Sequence, residues 1–199
     1  MDLSFDMTYG DTLICGVDEA GRGPLAGPVF AAAVILPRSM VIEGLDDSKK
    51  LGAKKREELY EIICSDAVSY GIASASVEEI EEYNVLAATH MAMNRAIKML
   101  TPCPELALID GNMAGGIEYP CECVIKGDTK SMSIAAASIL AKVSRDRVMA
   151  GIAQQYPDYM FEKHKGYGTK LHYELLDRYG LSPVHRRSFL KKYFEAKGV

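Results

Sequence analysis

"TLICGVDEAGRGPLAGPVFAAAVILP", residues 12–37, decides how the rest of the chain is read. An apolar run ends on two adjacent acids, Asp18 and Glu19. Gly21, Arg22 and Gly23 follow, and a second apolar run closes at Pro37. Short apolar runs rich in Val, Ile and Phe, bounded by Gly and Pro, read as strands. The stretch therefore predicts a strand at about 12–18, a loop nearly free of side chains, and a strand at 28–36. It also raises a chemical question, because two carboxylates stand at the mouth of an exposed backbone loop.

The pattern continues downstream. "VSYGIASASV" (68–77), "ELALID" (105–110) and "ECVIK" (122–126) predict three more strands. "GAKKREELYEIICSD" (52–66) predicts a helix with Leu59, Ile62 and Ile63 on one face. Ser76 and Glu79 form an S-x-x-E capping box, so a helix should start there. "VLAATHMAMNRAIKML" (85–100) is amphipathic and breaks before Pro102. "SIAAASILAKVSRDRVMAGIAQQY" (133–156) is the longest helix candidate, and "TKLHYELLDRYG" (169–180) is another, stopped by Gly180. Three strands followed by alternating helix and strand predict an α/β domain with a mixed sheet. We expect one domain over residues 1–199, with a basic tail at about 180–199.

Composition bounds the function. The chain has 199 residues, 48% hydrophobic and 25% charged, as ordinary globular domains do. The longest apolar run, "VFAAAVIL" (29–36), falls far short of the roughly 20 residues that span a bilayer. The opening "MDLSFDMTYG" is acidic and lacks the basic flank of a signal peptide. Five cysteines form no C-x-x-C pair, so they are expected as buried, reduced packing residues, with Cys121 and Cys123 facing one side. Together these features predict a cytoplasmic protein. The net charge of −4 argues against a general nucleic-acid binder, yet its distribution is uneven. Residues 1–125 carry 9 Lys+Arg against 20 Asp+Glu, a net of −11, whereas residues 126–199 carry 14 against 7, a net of +7. Either the fold intermixes them on a solvated surface, or acids gather metal while a basic face meets a polyanion.

Three apolar strand candidates run into acid: "LICGVDE", "LALIDG" and "CVIKGD". One strand ending in Asp usually marks a turn. Three, the first doubled, suggest that Asp18, Glu19, Asp110 and Asp128 converge beyond the strand ends, where α/β sheets place their sites. Converging carboxylates repel unless a hard divalent cation neutralises them, and oxygen ligands suit Mg2+ or Mn2+. No histidine adjoins these acids in sequence, which argues against zinc. "GRGPLA" also fits the loose G-x-G-x-x-G/A dinucleotide pattern. That pattern needs a helix opening in the loop, and here a strand follows. Gly21-Arg22-Gly23 reads better as backbone able to touch a sugar or phosphate.

These segments, together with "DDSKKL" (46–51), "LIDGN" (108–112), "KGDTKSMSIAAASILAKVSRDR" (126–147), "HKGYGT" (164–169) and "SPVHRRSF" (182–189), resemble bacterial ribonuclease HII from about residue 11 to 190. The resemblance implies a ribonuclease H-like fold, with a five-stranded mixed sheet flanked by helices and a C-terminal helical extension. It implies an endonuclease dependent on Mn2+ or Mg2+, with two ions, that acts on RNA–DNA hybrids and on single ribonucleotides embedded in duplex DNA. Asp18, Glu19, Asp110 and Asp128 fall on the family's acidic positions, the first three as core metal ligands. Gly21, Arg22 and Gly23 fall on the loop that reads the ribonucleotide, and Tyr167 on the tyrosine that packs against the neighbouring sugar. Arg22, where type 3 relatives have lysine, and the short segment before the first strand favour type 2.

Other residues keep two readings. Ser48, Lys49 and Lys50 suit substrate and phosphate contacts, or a solvated helix start. His164, His172 and His185 are expected on the surface, with phosphate contact as the alternative. Asp146, four residues beyond Lys142, is a candidate support for the metal site. "HRRSFLKKYF" either grips duplex backbone through Arg186 and Arg187 or packs Phe189 and Phe194 on the sheet. A monomer is expected. The competing function classes are a non-catalytic hybrid-binding module and a nucleotide-dependent oxidoreductase.

Overall fold

The computed structural model describes residues 3–45, 48 and 51–198. Strands β1 (Ile14–Ala20), β2 (Val29–Ile35), β3 (Ser69–Ala75), β4 (Leu106–Asp110) and β5 (Cys121–Val124) form one sheet in the order β3-β2-β1-β4-β5. β1, β2 and β3 pair antiparallel, while β4 joins β1 and β5 joins β4 in parallel. The five-stranded mixed sheet is therefore as the sequence predicts. Helices α1 (Ser4–Met7), α2 (Ala53–Asp66), α3 (Val77–Lys98), α4 (Met132–Gln155), α5 (Phe161–His164), α6 (Lys170–Tyr179) and α7 (Lys191–Lys197) complete the described chain.

The side-chain period of two sorts each strand between two cores. Cys15, Val17, Ala31 and Ala33 face α3, where Ala92, Met93, Ala96 and Ile97 cover them. Ala32 and Val34 face α4, with Leu59 and Ile63 of α2 closing that layer. α4 is buried all round along its first three turns, from Met132 to Ala141. Its run of alanines lets it lie directly on β1. A Cβ added at Gly16 would sit 2.1 Å from the Ser133 backbone, so only glycine allows that approach. A third cluster, built on Leu25, Met149, Phe161, Leu176 and Leu190, seats the C-terminal segments against the end of α4.

Local signals explain the boundaries. The Ser76–Glu79 capping box is made in both directions, at 3.2 Å and 2.8 Å. Inside α3, Asn84 takes φ 68° and its Oδ1 accepts the N–H groups of Leu86 and Ala87, so a fresh cap starts the second segment.

Three expectations are corrected. β1 does not stop at Asp18: its ladder with β2 continues through Asp18↔Ala32, Glu19↔Ala31 and Ala20↔Phe30, past the last pair with β4, Val17↔Ile109. β5 ends at Val124, so Asp128 lies in a 3-10 turn (Gly127–Thr129), not at a strand end. Of the five free cysteines only Cys15 is fully buried; Cys64 and Cys121 are partly so, and Cys103 and Cys123 are exposed. Cys123 lies on β5, an edge strand of the sheet. Among the described residues no helix is long and apolar enough to cross a membrane.

Candidate active site

The parallel pairing of β1 and β4 sets Asp18 and Asp110 side by side, each one residue beyond the last pair. Asp18 faces α4 and is 5% exposed. Its Oδ1 accepts the Glu19 N–H at 2.7 Å, and the Ser138 hydroxyl of α4 donates to the same carboxyl. Asp110 Oδ1 accepts the N–H groups of Gly127 at 2.7 Å and Asp128 at 3.3 Å, which draws the 3-10 turn and the buried Asp128 to the same corner. Glu19 and Asp110 line one cavity with Arg22, His90 and Asn112. The fold thus brings Asp18, Glu19, Asp110 and Asp128 to one place.

Negative charge is concentrated at this corner. Burial, then the charges of Glu19 and Asp110, hold the Asp18 carboxyl well above the usual carboxylate range. Arg22 Nη1 stands 3.4 Å from Glu19 Oε1. Among the described residues no three His, Cys, Asp or Glu side chains are set to hold a metal as they stand. The donor set nonetheless fits a hard divalent cation: it is all oxygen, and the field that raises Asp18 is the field a cation relieves. One histidine does line the cavity. His90, on α3, donates through Nε2 to the Met113 carbonyl at 3.2 Å and so holds the loop after Asp110.

The glycine loop is held from behind by two buried guanidiniums, Arg145, which the sequence did not single out, and Arg186, which it offered as a phosphate contact. Arg145 and Arg186 are both 0% exposed. Arg145 donates to the carbonyls of Pro28, Lys165 and Ala26 at 3.1–3.2 Å. Arg186 donates to Gly21, Arg22 and Gly27 at 2.6–3.0 Å. Gly21, at φ +99°, leaves no room for a side chain: a Cβ there would meet Arg145 Nε at 2.1 Å. Gly23 faces open space, with nothing within 4 Å of an added Cβ.

Tyr167 stands on the far side of the same framework. Its ring is 43% exposed, with the Arg145 guanidinium 5.7 Å from its centroid. The turn before it is pinned by Leu25 N–H to the Gly166 carbonyl at 2.8 Å. Lys126 and Lys165, each two residues before Asp128 and Tyr167, both adopt left-handed backbone, strain that concentrates at functional turns.

Several expected residues lie elsewhere than predicted. Arg186 is buried and cannot meet a phosphate, whereas Arg187 is exposed. His164, His172 and His185 are buried, not surface residues, because they pack with Phe161 and Tyr159 in one aromatic cluster. Burial lowers all three, His172 and His185 to about 4. Asp146 pairs with Lys142 at 2.7 Å and Arg56 at 3.9 Å, and the carboxylate corner is not among those contacts. Ser48 is buried with its hydroxyl 2.9 Å from Ser138 Oγ, behind Asp18. Lys49 and Lys50 lie outside the described residues. Phe189 packs against the sheet core as well as the third cluster, as the second reading of the tail predicts, whereas Phe194 packs on the third cluster and not on the sheet. The signal for Arg145 and Arg186 was present in "SRDR" and "HRRSF", but a motif does not say which arginine turns inward.

The model of the family described as Ribonuclease HII matches residues 15–194. The chain belongs to the ribonuclease HII family. A ribonuclease HII from Caldicellulosiruptor saccharolyticus is 55% identical over 92% of this chain and 89% of its own length. One from Coxiella burnetii is 54% identical over 95% of this chain and 94% of its own. The crystal structure of ribonuclease H2 from Pyrococcus horikoshii OT3 superposes with a TM-score of 0.75 at 26% identity, covering 92% of this chain and 97% of that one. The chain is therefore a nuclease with the ribonuclease H fold, acting on nucleic acid.

Proposed function

We propose that this protein hydrolyses the RNA strand of RNA–DNA hybrids and cuts 5′ of single ribonucleotides embedded in duplex DNA, with two divalent cations, Mn2+ or Mg2+. The observation that carries the reading is the acidic corner itself. A buried Asp18, raised by Glu19 and Asp110, stands on the strand that leads into a loop open at Gly23. Asp18, Glu19 and Asp110 would hold the cations, with Asp128 completing the set. When bound, the cations supply positive charge to the phosphate oxygens and polarise the attacking water.

The chain's own residues do the rest. The 2′-hydroxyl is the group that marks a ribonucleotide within DNA, and it both donates and accepts. Backbone groups of Gly21, Arg22 and Gly23 would read it at close range. Gly23 keeps that approach open, while Gly21 serves the packing of the loop on Arg145. Tyr167 would lie against the deoxyribose on the 3′ side, where an additional hydroxyl fits poorly. Ser48 would act by seating its turn on Ser138 and Arg56, and Lys49 by meeting a phosphate. A single catalytic domain over 1–199, monomeric and cytoplasmic, goes with this reading.

The test maps cuts on duplexes carrying one ribonucleotide, four, or none. Excess EDTA should abolish cleavage and Mn2+ or Mg2+ should restore it. Cutting that persists in EDTA, or equal cutting of the all-DNA duplex, sinks the reading.

A further inference from the structure

Three buried histidines have no part in that reaction, yet each has its proton placed by its partners. A carbonyl only accepts, so His172 Nδ1–H donates to the Tyr167 carbonyl at 2.9 Å, and His164 Nε2–H to the Tyr159 carbonyl at 2.8 Å. The Gly166 N–H meets His164 Nδ1 at 3.2 Å, in agreement. The Ser182 N–H and hydroxyl meet His185 Nδ1 at 2.9 Å and 2.7 Å, both closer than the Ser182 carbonyl at 3.3 Å, which makes that atom an acceptor and puts the His185 proton on Nε2. That Nε2–H points at the bare Nε2 of His172 at 3.0 Å. The opposite assignment would leave two bare nitrogens facing each other. The His164 ring stacks on His172, centroids 4.2 Å apart.

The chain of bonds has two ends. One is the carbonyl of Tyr167. The other is the tail, where His185 bridges Ala26 and the next residue, Arg186, holds the carbonyls of Gly21, Arg22 and Gly27. We propose that His172 is a positioning residue for substrate selection: through His185 it couples the turn that carries Tyr167 to the tail that holds the glycine loop, so that the two halves of the ribose-to-deoxyribose test stay in one register. This rests on the roles given above to Tyr167 and the glycine loop. A residue that served folding alone would affect all substrates alike. A residue that sets the register affects the choice between them.

The experiment measures the ratio of cleavage rates on a duplex with one ribonucleotide and on one with four. His172→Asn keeps an N–H near the Nδ1 position and loses the link to His185. His172→Gln reaches toward His185 and loses the bond to Tyr167. Each variant should lower the ratio about ten-fold. Tyr167→Ala should lower it at least as far, and His172→Asn combined with Tyr167→Ala should fall no further than Tyr167→Ala alone. Equal loss on both substrates, or additive loss in the double variant, overturns the coupling. If Tyr167→Ala lowers the ratio and the His172 variants do not, this inference alone fails. If Tyr167→Ala leaves the ratio unchanged, the role of Tyr167 fails and the inference with it. Nitrogen-15 spectra of the unaltered protein at neutral pH give an independent reading that survives poor folding of the variants. They should show the proton on Nδ1 of His172 and on Nε2 of His164 and His185. A proton on Nε2 of His172 overturns the proposal.

Discussion

Negative charge at the β1–β4 corner and positive charge at the end of α4 are handled in opposite ways. At the corner, Asp18, Glu19, Asp110 and Asp128 crowd together, and the cost is visible in the raised Asp18. At the end of α4, Arg145 and Arg186 are wholly buried with no carboxylate in salt-bridge range among the described residues. Six backbone carbonyls solvate them instead. Burial still lowers both guanidinium groups, Arg186 to about 9. The first arrangement leaves charge for a ligand to answer. The second has spent its charge on geometry, since each fork fixes the direction of the carbonyls it binds. One region is built to react and the other to hold still.

The largest expected break is at the corner. Asp110→Asn keeps an oxygen to accept from Gly127 and Asp128, so the fold should survive with a melting temperature near that of the parent. Cleavage should fall by about a thousand-fold or more, because a charged ligand contributes several kcal/mol to the transition state. Near-normal cleavage would reduce Asp110 to a strand-end acid.

The holding region should break through stability instead. Arg186→Ala orphans two buried carbonyls and one part-buried carbonyl and leaves a cavity, at a cost on the order of 4 kcal/mol. For a chain of this size that lowers the melting temperature by about 8–16 °C. Arg187→Ala, on the exposed side, should leave thermal denaturation within a degree or two. Equal melting of the two variants would mean that Arg186 does not hold the loop.

The histidines sharpen the contrast through pH. His172 and His185 are lowered to about 4 from an ordinary 6.5, so between those values the unfolded chain binds more protons than the folded one. Stability then rises with pH across that window: it is complete above 6.5 and lost as pH falls toward 4. Glu162 beside His164 works weakly the other way, and Arg186, next in sequence to His185, is another cation close by. Asp18, raised in the folded state, opposes the trend in metal-free protein, so the measurement belongs in an Asp18→Asn background. Thermal melts should drop by several degrees between pH 7 and pH 5. A flat profile would mean that the cluster charges without cost.

The smallest effect separates surface charge from buried charge. Arg187, Lys191 and Lys192 are exposed on the tail. Arg187→Ala should reduce the log–log salt slope of duplex binding by about 0.9 if it meets one phosphate. Sequence preference should not change, because phosphate contacts position without specifying. An unchanged slope moves the binding face away from the tail.

Much of this was legible before any coordinates. Short apolar runs in "LICGV", "VFAAAVI" and "LALID", bounded by Gly, Pro or acid, decided the strands, since length and flanking breakers separate such a run from a buried helix. The Ser76 capping box and Gly180 placed helix ends, because those signals are local hydrogen bonds. The acids of the site were legible as residue types placed next to glycine. Their exact setting was not. Asp18 lies inside β1 and not at its end, because the ladder with β2 outlasts the pairing with β4, and ladder length is a property of two strands together.

Whether a polar side chain turns inward was decided by tertiary structure alone. Arg186 and Arg187 are neighbours of one chemical kind, and one is wholly buried while the other meets solvent. The three histidines, spread over 22 positions from His164 to His185, become one stack and one chain of bonds only when the tail folds back across Ala26. The sequence by itself determined which groups could carry charge and which segments would be strands or helices, since both follow from residue type and near neighbours. The partners of those charges come from segments as much as 165 residues apart, as Arg186 and Gly21 are, and only the packed chain brings them within a hydrogen bond.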